Sequence, residues 1–205
     1  MLESNGVAFK EWASIVEALG KGEQILILRK GGIHEKGKKF DVAHNEFFLF
    51  PTFEHQNPKD LKAGKEEILK KVPPSIPSPR GAGGGLRWGV PIRYYSVVEE
   101  SFWISDEKTL KQLDPFHIWS WDCVKARFDW GEAKGLFGIV VRIFSLPEVL
   151  LLENQKRYGG CRSWVELGTP LLTASLKPVL SDRAFQSRKE EILRTVHMER
   201  SCKPS

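Results

Sequence analysis

Side chains that could transfer a proton lie close together between positions 44 and 55. His44 and Glu46 are two residues apart, so they point to the same face of an extended chain. Glu54 and His55 are adjacent and follow a short aromatic segment. A carboxylate beside an imidazole orients the ring and stabilises its charge, which suits general acid–base catalysis near neutral pH. We therefore predict Glu46, Glu54 and His55 as catalytic candidates.

The same residues also have a structural interpretation. Asn57 and Pro58 are typical of a helix start, where Glu54 and His55 could serve only as capping residues. His44 could be an ordinary surface residue. Polar clusters occur in purely structural networks as well as in active sites, so both interpretations stay open.

A metal centre and a cysteine nucleophile are further alternatives. The nitrogen and oxygen ligands available for a metal are His34, His44, Glu46, Glu54 and His55. They lack the close spacings, such as HxH or HxxxH, that are typical of metal sites, so we predict no metal and no cofactor. Cys161 follows a glycine pair and precedes Arg162, a cation that would lower the thiol pKa. Its alternative role is that of a small buried apolar residue.

Charged residues at strand ends predict a binding cleft. Arg29 and Lys30 end one apolar strand, and Arg142 lies within another. A charge placed against a core is costly unless a partner satisfies it. We therefore expect the end of the first strand to face the segment 160–167, where Glu166 is the best-placed carboxylate partner. The predicted binding residues are Arg29, Lys30, Thr52, Gln56, Arg142, Tyr158, Arg162, Trp164 and Glu166.

Tryptophan and arginine are concentrated in the second half of the chain. The tryptophans there are Trp88, Trp103, Trp119, Trp121, Trp130 and Trp164. The arginines near them in sequence are Arg87, Arg93, Arg127 and Arg142. Tryptophan beside arginine can stack on and clamp a nucleic-acid base. Large aromatic side chains also dominate hydrophobic cores, so these residues have two interpretations.

The apolar pattern of the first half predicts two helices and several short strands. One predicted helix ends at Gly20, and its apolar residues form a single stripe: Phe9, Trp12, Val16 and Leu19. A second helix begins at residues 57–58 and ends at Pro73. The predicted strands are 25–30, 40–42 and 47–50, and Pro51 ends the last of them. The connections between these strands are short, which favours antiparallel pairing.

The second half begins after a break in the pattern. Residues 73–91 contain five prolines and five glycines, which predicts an exposed loop. Strands are then predicted within 92–104, 137–144 and 163–167, with short helices capped by Ser105 and Ser120. The last predicted element is an amphipathic helix over 182–200, whose inward residues are Phe185, Ile192 and Val196.

Composition restricts the class of protein. Of 205 residues, 41% are hydrophobic and 28% are charged, so wholesale disorder is excluded. The absence of a run of about 18 apolar residues and of an apolar leader predicts a cytoplasmic protein without a membrane partner. Three cysteines, an odd number, also favour a reducing compartment. The net charge of +5 and the pI of about 9.1 favour an acidic partner, of which nucleic acid is the commonest.

Three blocks of sequence carry a family resemblance. They are Leu28–Ile33 (LRKGGI), Phe47–Gln56 (FFLFPTFEHQ) and Tyr158–Leu167 (YGGCRSWVEL). Together they resemble the family called domain of unknown function 1802, over about residues 9–168. The resemblance brings no established activity to these residues. Members of the family that adjoin restriction-endonuclease-like domains imply work on DNA and an association with restriction–modification.

These observations predict an α+β fold, with a mixed or barrel-like sheet that is PUA-like by analogy, flanked by helices and followed by a C-terminal amphipathic helix. Residues 1–168 are expected to form one domain and residues 169–205 a helical extension. The predicted function is binding of DNA or RNA, or of a modified nucleotide base, in a polar cleft. One alternative is a hydrolase or nuclease with a Glu/His acid–base or metal site. The other is a protein-interaction module that binds its partner through the C-terminal helix.

Overall fold

Eight strands and five α-helices are present in the residues that the structure, a computed structural model, describes: 1–30, 43–53, 56–71, 76–78, 87–153, 155–160 and 163–197. The strands are β1 (Ser4–Trp12), β2 (Leu26–Arg29), β3 (Glu46–Thr52), β4 (Ile76–Ser78), β5 (Arg87–Ile104), β6 (Leu136–Glu153), β7 (Trp164–Leu172) and β8 (Lys177–Pro178). The helices are α1 (Ala13–Gly20), α2 (Glu67–Lys71), α3 (Glu107–Gln112), α4 (Trp121–Asp129) and α5 (Asp182–His197).

All eight strands belong to one mixed sheet. The order is β2-β6-β5-β3-β1-β7, with β4 beside β5 and β8 beside β6. β1 and β3 are parallel, and the other pairs are antiparallel. The long strands β5 and β6 pair from Gly89↔Glu153 to Ile104↔Leu136 and form the centre. The predicted α+β class, with a mixed sheet, flanking helices and a C-terminal helix, is therefore confirmed.

The two edges of the sheet approach each other at one end. β2 and β7 lie at opposite ends of the strand order, and no backbone ladder joins them among the described strands. Arg29, the last residue of β2, nevertheless donates hydrogen bonds to Ser163 Oγ, just before β7, and to the carbonyl of Lys10 on β1, each at 3.1 Å. Sheets curl because their strands twist. The sheet is open, and the Arg29 side chain spans the gap between its two edges at this end.

Hydrophobic clusters cover both faces of the sheet. Phe9 and Phe47 belong to the larger cluster, whereas their neighbours Ala8 and Phe48 belong to the smaller. Successive strand side chains point to opposite faces, so the two clusters lie on opposite sides. Helices α1, α4 and α5 pack on the larger cluster, and α5 contributes the predicted inward residues Phe185, Ile192 and Val196. Among the described helices, none combines the length and the apolar character that crossing a bilayer requires.

The N-terminal segment is a strand where the sequence predicts a helix. Phe9 and Trp12 lie in β1, and α1 begins only at Ala13. Both faces of β1 are covered, with Phe9 in one cluster and Ala8 in the other. A strand that is covered on both faces lacks the alternation of apolar and polar residues that a half-buried strand shows. The apolar residues of β1 also match the helical spacing of those in α1, so the pattern predicted one continuous helix. The predicted helix is correct only from residue 13.

Three other boundaries differ from prediction. β3 continues through Pro51 to Thr52, because it pairs with β5 only over residues 46–48 and the missing N–H breaks no ladder on that side. The segment 73–91 is not wholly a loop, since 76–78 form β4 and pair with residues 87–89 of β5. The helix predicted at 57–73 is reduced to a 3-10 turn and α2, separated by Gly64 with φ of 83°. The strand predicted at 40–42 lies outside the described residues.

The predicted helix caps are partly confirmed. Ser120 caps α4 as predicted, since its hydroxyl accepts a hydrogen bond from the Cys123 N–H at 3.4 Å. The cap of α3 is Asp106, not Ser105, because the Asp106 carboxylate accepts from the Thr109 N–H at 2.7 Å. A carboxylate is an equally good cap and adds a favourable charge at the helix start.

Candidate functional site

The three sequence blocks meet at the C-terminal end of β1. From the first block, the Arg29 guanidinium lies 3.5 Å from the Glu11 carboxylate and also bonds to the Lys10 carbonyl. From the second, the Thr52 hydroxyl donates to the Glu11 carbonyl at 3.2 Å. From the third, the Ser163 carbonyl accepts from the Lys10 N–H at 2.8 Å. Residues far apart in sequence thus surround two adjacent charged residues of β1.

Glu11 is a buried carboxylate with one well-bonded oxygen. Its side chain is 1% exposed, and Oε1 accepts from the Trp12 N–H at 2.8 Å. Oε2 faces Arg29 and has no hydrogen-bond partner of good geometry among the described residues. A buried carboxylate is tolerated only when a cation compensates it, so Arg29 and Glu11 depend on each other.

Lys10 connects β1 to the third block. It is 9% exposed, and its ammonium donates to the Gly160 carbonyl at 3.0 Å. Gly160 has φ of 81°, the left-handed conformation that glycine adopts without strain. The turn before β7 is therefore held against β1 by both the backbone and the side chain of Lys10.

Aromatic rings form a wall beside Arg29. Its guanidinium lies 4.6 Å from the centroid of the Phe9 ring. The Trp164 ring packs edge-on against Phe9, Phe47 and His44, with centroid distances of 4.8, 5.1 and 4.9 Å. Trp164 is half-buried and His44 is exposed, so part of this wall is accessible. We call the group Lys10, Glu11, Arg29, His44, Thr52, Ser163 and Trp164 the β1-end site.

As predicted, Arg29 lies beside the segment 160–167. The carboxylate predicted to pair with it, Glu166, is not its partner. Glu166 lies on β7 opposite Val7 and is exposed, whereas Glu11 is the carboxylate that pairs with Arg29. Glu11 could not be chosen from sequence because the helical interpretation placed it on a solvent-facing side. For the same reason, Lys10 was not predicted as a residue of the site.

Lys30 has a structural role at the end of α4. Its ammonium donates to the carbonyls of Phe128 at 3.0 Å and Ala133 at 2.6 Å. Burial lowers the pKa of Lys30, and Asp129 opposes that shift. A cation at the C-terminus of a helix satisfies carbonyls that lack intrahelical partners.

Gln56, predicted to bind a ligand, caps α1. Its Oε1 accepts from the Ser14 N–H at 3.0 Å, and its Nε2 donates to the Thr52 carbonyl at 2.8 Å. One amide thus joins the end of β3 to the first turn of α1. Trp12, which directly precedes α1, makes no side-chain hydrogen bond that would cap the helix.

Arg142 does not reach the β1-end site. Val140 of β6 pairs with Leu26, whereas Arg29 pairs with Phe137. Arg142 therefore lies about five residues, or about 16 Å, farther along the sheet than the partner of Arg29. It forms an ion pair with Asp182 at the start of α5.

Glu46 and Tyr158 are both engaged elsewhere. The Glu46 carboxylate accepts from the Leu2 N–H and from the Tyr95 hydroxyl, each at 2.9 Å. Burial opposes ionisation, but these hydrogen bonds prevail and lower the pKa of Glu46. The Glu46 side chain lies on the face of Phe48 and Tyr95, which belong to the smaller cluster, whereas Trp164 packs against the larger cluster on the other face. Tyr158 is buried and donates to the Leu167 carbonyl at 3.2 Å.

Four residues singled out from the sequence belong to segments that the structure does not describe. Glu54, His55, Cys161 and Arg162 lie outside the described residues, so their roles stay predictions. Among the residues that the structure describes, no group of three or more His, Cys, Asp or Glu side chains is arranged to hold a metal ion.

Comparison with solved structures gives two distant similarities. One is the crystal structure of ASCH from Zymomonas mobilis, with 7% identity and a TM-score of 0.43, over 90% of this chain and 93% of that chain. The other is a point mutant of the same Zymomonas mobilis protein, with 7% identity and a TM-score of 0.42, over 90% of this chain and 96% of that chain.

Comparison of sequences identifies the family. No curated protein matches this chain significantly. The family model described as Domain of unknown function (DUF1802) matches residues 8–191. The match contains all three sequence blocks and continues past residue 168 into α5. The chain therefore belongs to the DUF1802 family.

Proposed function

We propose that the chain binds nucleic acid at the β1-end site. The observation that carries the proposal is the convergence of an oriented arginine, Arg29, with the accessible rings of Trp164 and His44. Aromatic rings and guanidinium planes are surfaces on which unpaired bases stack. The net charge of +5 favours a polyanionic partner and adds long-range attraction.

Single-stranded nucleic acid is the form that this site fits best. Stacking on Trp164 or His44 requires a base whose face is free, and bases in a duplex are already stacked. Affinity should therefore be higher for a single strand than for a duplex of the same sequence. It should also fall as salt concentration rises, because bound phosphates release counterions.

A titration with matched variants tests the proposal. We expect His44→Ala to weaken binding of a labelled single-stranded oligonucleotide at least about fivefold, since a base–aromatic stack contributes about 1–3 kcal/mol. Arg142→Gln is the control: it removes the charge of an arginine that pairs with Asp182 and lies about 16 Å along the sheet from the partner of Arg29. Equal effects of both changes, or no binding by the wild type at low salt, would contradict the proposal.

Fewer residues support the enzymatic alternative than the sequence predicted. Glu46 is engaged by Leu2 and Tyr95, so a hydrolase or nuclease would depend on Glu54 and His55. The same titration distinguishes this alternative, since cleaved oligonucleotide would accumulate with wild type and not with Glu54→Gln. The third alternative, a protein partner at α5, predicts no oligonucleotide binding at all.

A further inference from the structure

Arg127 on α4 rests on two tryptophan side chains. Its guanidinium carbon lies 4.0 Å from the centroid of the Trp119 ring and 4.7 Å from that of the Trp12 ring. The two indoles contact each other edge to face, with centroids 4.6 Å apart. Trp119 is 1% exposed, so the core holds this support in place. Contact with both rings restricts the position of the guanidinium.

The hydrogen-bonding groups of Arg127 have no acceptor within the described part of the chain. No described carboxylate lies within ion-pair distance of it, and no described oxygen accepts one of its N–H groups. Lys125 on the same helix, by contrast, pairs with both Glu107 and Asp129. Arg127 is half-buried, so a ligand can reach it.

The guanidinium of Arg127 is suited to bind an anion. Its contacts with Trp119 and Trp12 restrict its position, so little further ordering is needed when a ligand binds. A guanidinium with N–H groups free of described acceptors can contact a phosphate in a bidentate manner.

Arg127 is close enough to the β1-end site to share a ligand with it. Trp12, one of its supports, directly follows Glu11 in β1 and pairs with Thr52. Trp164 pairs with Phe9, three residues earlier on the same strand. Trp12 and Phe9, the residue that pairs with Trp164, are therefore about 10 Å apart along β1, a distance that an oligonucleotide spans easily.

We infer that Arg127 binds a phosphate group of the ligand whose base contacts the β1-end site. The identification of the ligand as nucleic acid rests on the proposed function. The phosphate contact itself does not, because a free nucleotide carries the same group. The sequence placed Arg127 among the arginines near tryptophan but not among the predicted binding residues, since its contact with both Trp12 and Trp119 could not be derived from spacing.

The first part of the test measures the salt dependence of oligonucleotide binding. A single-stranded oligonucleotide is titrated at several salt concentrations with wild type, Arg127→Gln, Arg127→Lys and Arg183→Gln. Arg183 is exposed on α5 and provides the same loss of charge. For Arg127→Gln we expect the slope of log K against log salt to decrease by about 0.7, the value for one phosphate contact on a single strand. Arg127→Lys should keep the slope and lose affinity, and Arg183→Gln should change neither.

The second part separates this inference from the proposed function. The arginine side-chain N–H resonances are followed by NMR as inorganic phosphate and a nucleoside monophosphate are added. Saturable shifts of Arg127 without oligonucleotide binding would keep the phosphate site and overturn the nucleic-acid proposal. Oligonucleotide binding with an unchanged slope in Arg127→Gln would overturn the phosphate site alone. If Arg127→Gln fails to fold, a wild-type affinity of Arg127→Lys would overturn it.

Discussion

At the scale of single residues, a buried charge and its partner organise the β1-end site. Glu11 is 1% exposed, and Arg29 is the cation that compensates it while also reaching Lys10 and Ser163. The sequence could predict that Arg29 needs a carboxylate, because a charge beside a core requires one. It could not identify Glu11, since that required knowing that β1 is a strand.

Removing one member of this pair should destabilise the fold more than removing both. Arg29→Gln leaves the Glu11 carboxylate buried without its cation, and we expect the free energy of unfolding to decrease by about 3–5 kcal/mol. Adding Glu11→Gln removes the uncompensated charge, so the double variant should recover part of that loss. Urea unfolding of the two single variants and the double variant measures this coupling. Strictly additive losses would mean that the two side chains do not interact.

A second residue-scale prediction concerns His117, which is 4% exposed. Burial and the nearby Lys62 lower its pKa from 6.5 to about 4, while Asp114 opposes the shift. Between those values the unfolded chain binds a proton that the folded chain does not. The contribution of His117 to stability should therefore be complete well above pH 6.5 and be lost as the pH decreases toward 4, by up to about 3 kcal/mol.

Unfolding at two pH values tests the His117 assignment. Urea midpoints are compared for wild type and His117→Gln at about pH 7.5 and about pH 4.5, which bracket most of the transition. The wild type should lose more stability between the two conditions than the variant does. An equal loss in both proteins would assign the acid sensitivity to other groups.

At the scale of elements, the β1–α1 junction depends on a side chain from another segment. Gln56 accepts from the Ser14 N–H and bonds back to the end of β3, which fixes where α1 begins. Trp12 precedes the helix without capping it. Sequence periodicity located α1 but not its start, because the cap comes from a residue 42 positions away.

The capping role of Gln56 makes a prediction that differs from a ligand-binding role. We expect Gln56→Ala to lower the free energy of unfolding by about 1 kcal/mol, as loss of a helix cap does, without changing oligonucleotide affinity. Gln186→Ala, at an exposed position of α5, is the control and should leave stability unchanged. Urea unfolding and the oligonucleotide titration together decide the role. Reduced affinity at unchanged stability would make Gln56 a binding residue.

At the scale of the whole molecule, the approach of the two sheet edges creates the site. The first sequence block begins on β2 and the third continues into β7, the two edges of the strand order, and Arg29 reaches Ser163 across the gap between them. The sequence could predict this approach from the cost of an unpaired charge. It could not predict the parallel pairing of β1 with β3, which brings the second block to the same place.

The domain division at residue 168 stays a prediction. The family match extends to residue 191, and Phe185 and Ile192 of α5 belong to the same cluster as Phe9 of β1. An ion pair also joins the two predicted parts, since Arg142 in β6 pairs with Asp182 in α5.

Photochemical cross-linking tests the central claim most directly. A single-stranded oligonucleotide with a photoreactive base is irradiated in complex with the protein, and the attached peptides are identified by mass spectrometry. Binding at the β1-end site predicts attachment at His44 or Trp164, the accessible rings of that site, and competition by unlabelled single strand. Attachment confined to α5, or attachment that unlabelled strand does not compete away, would contradict it.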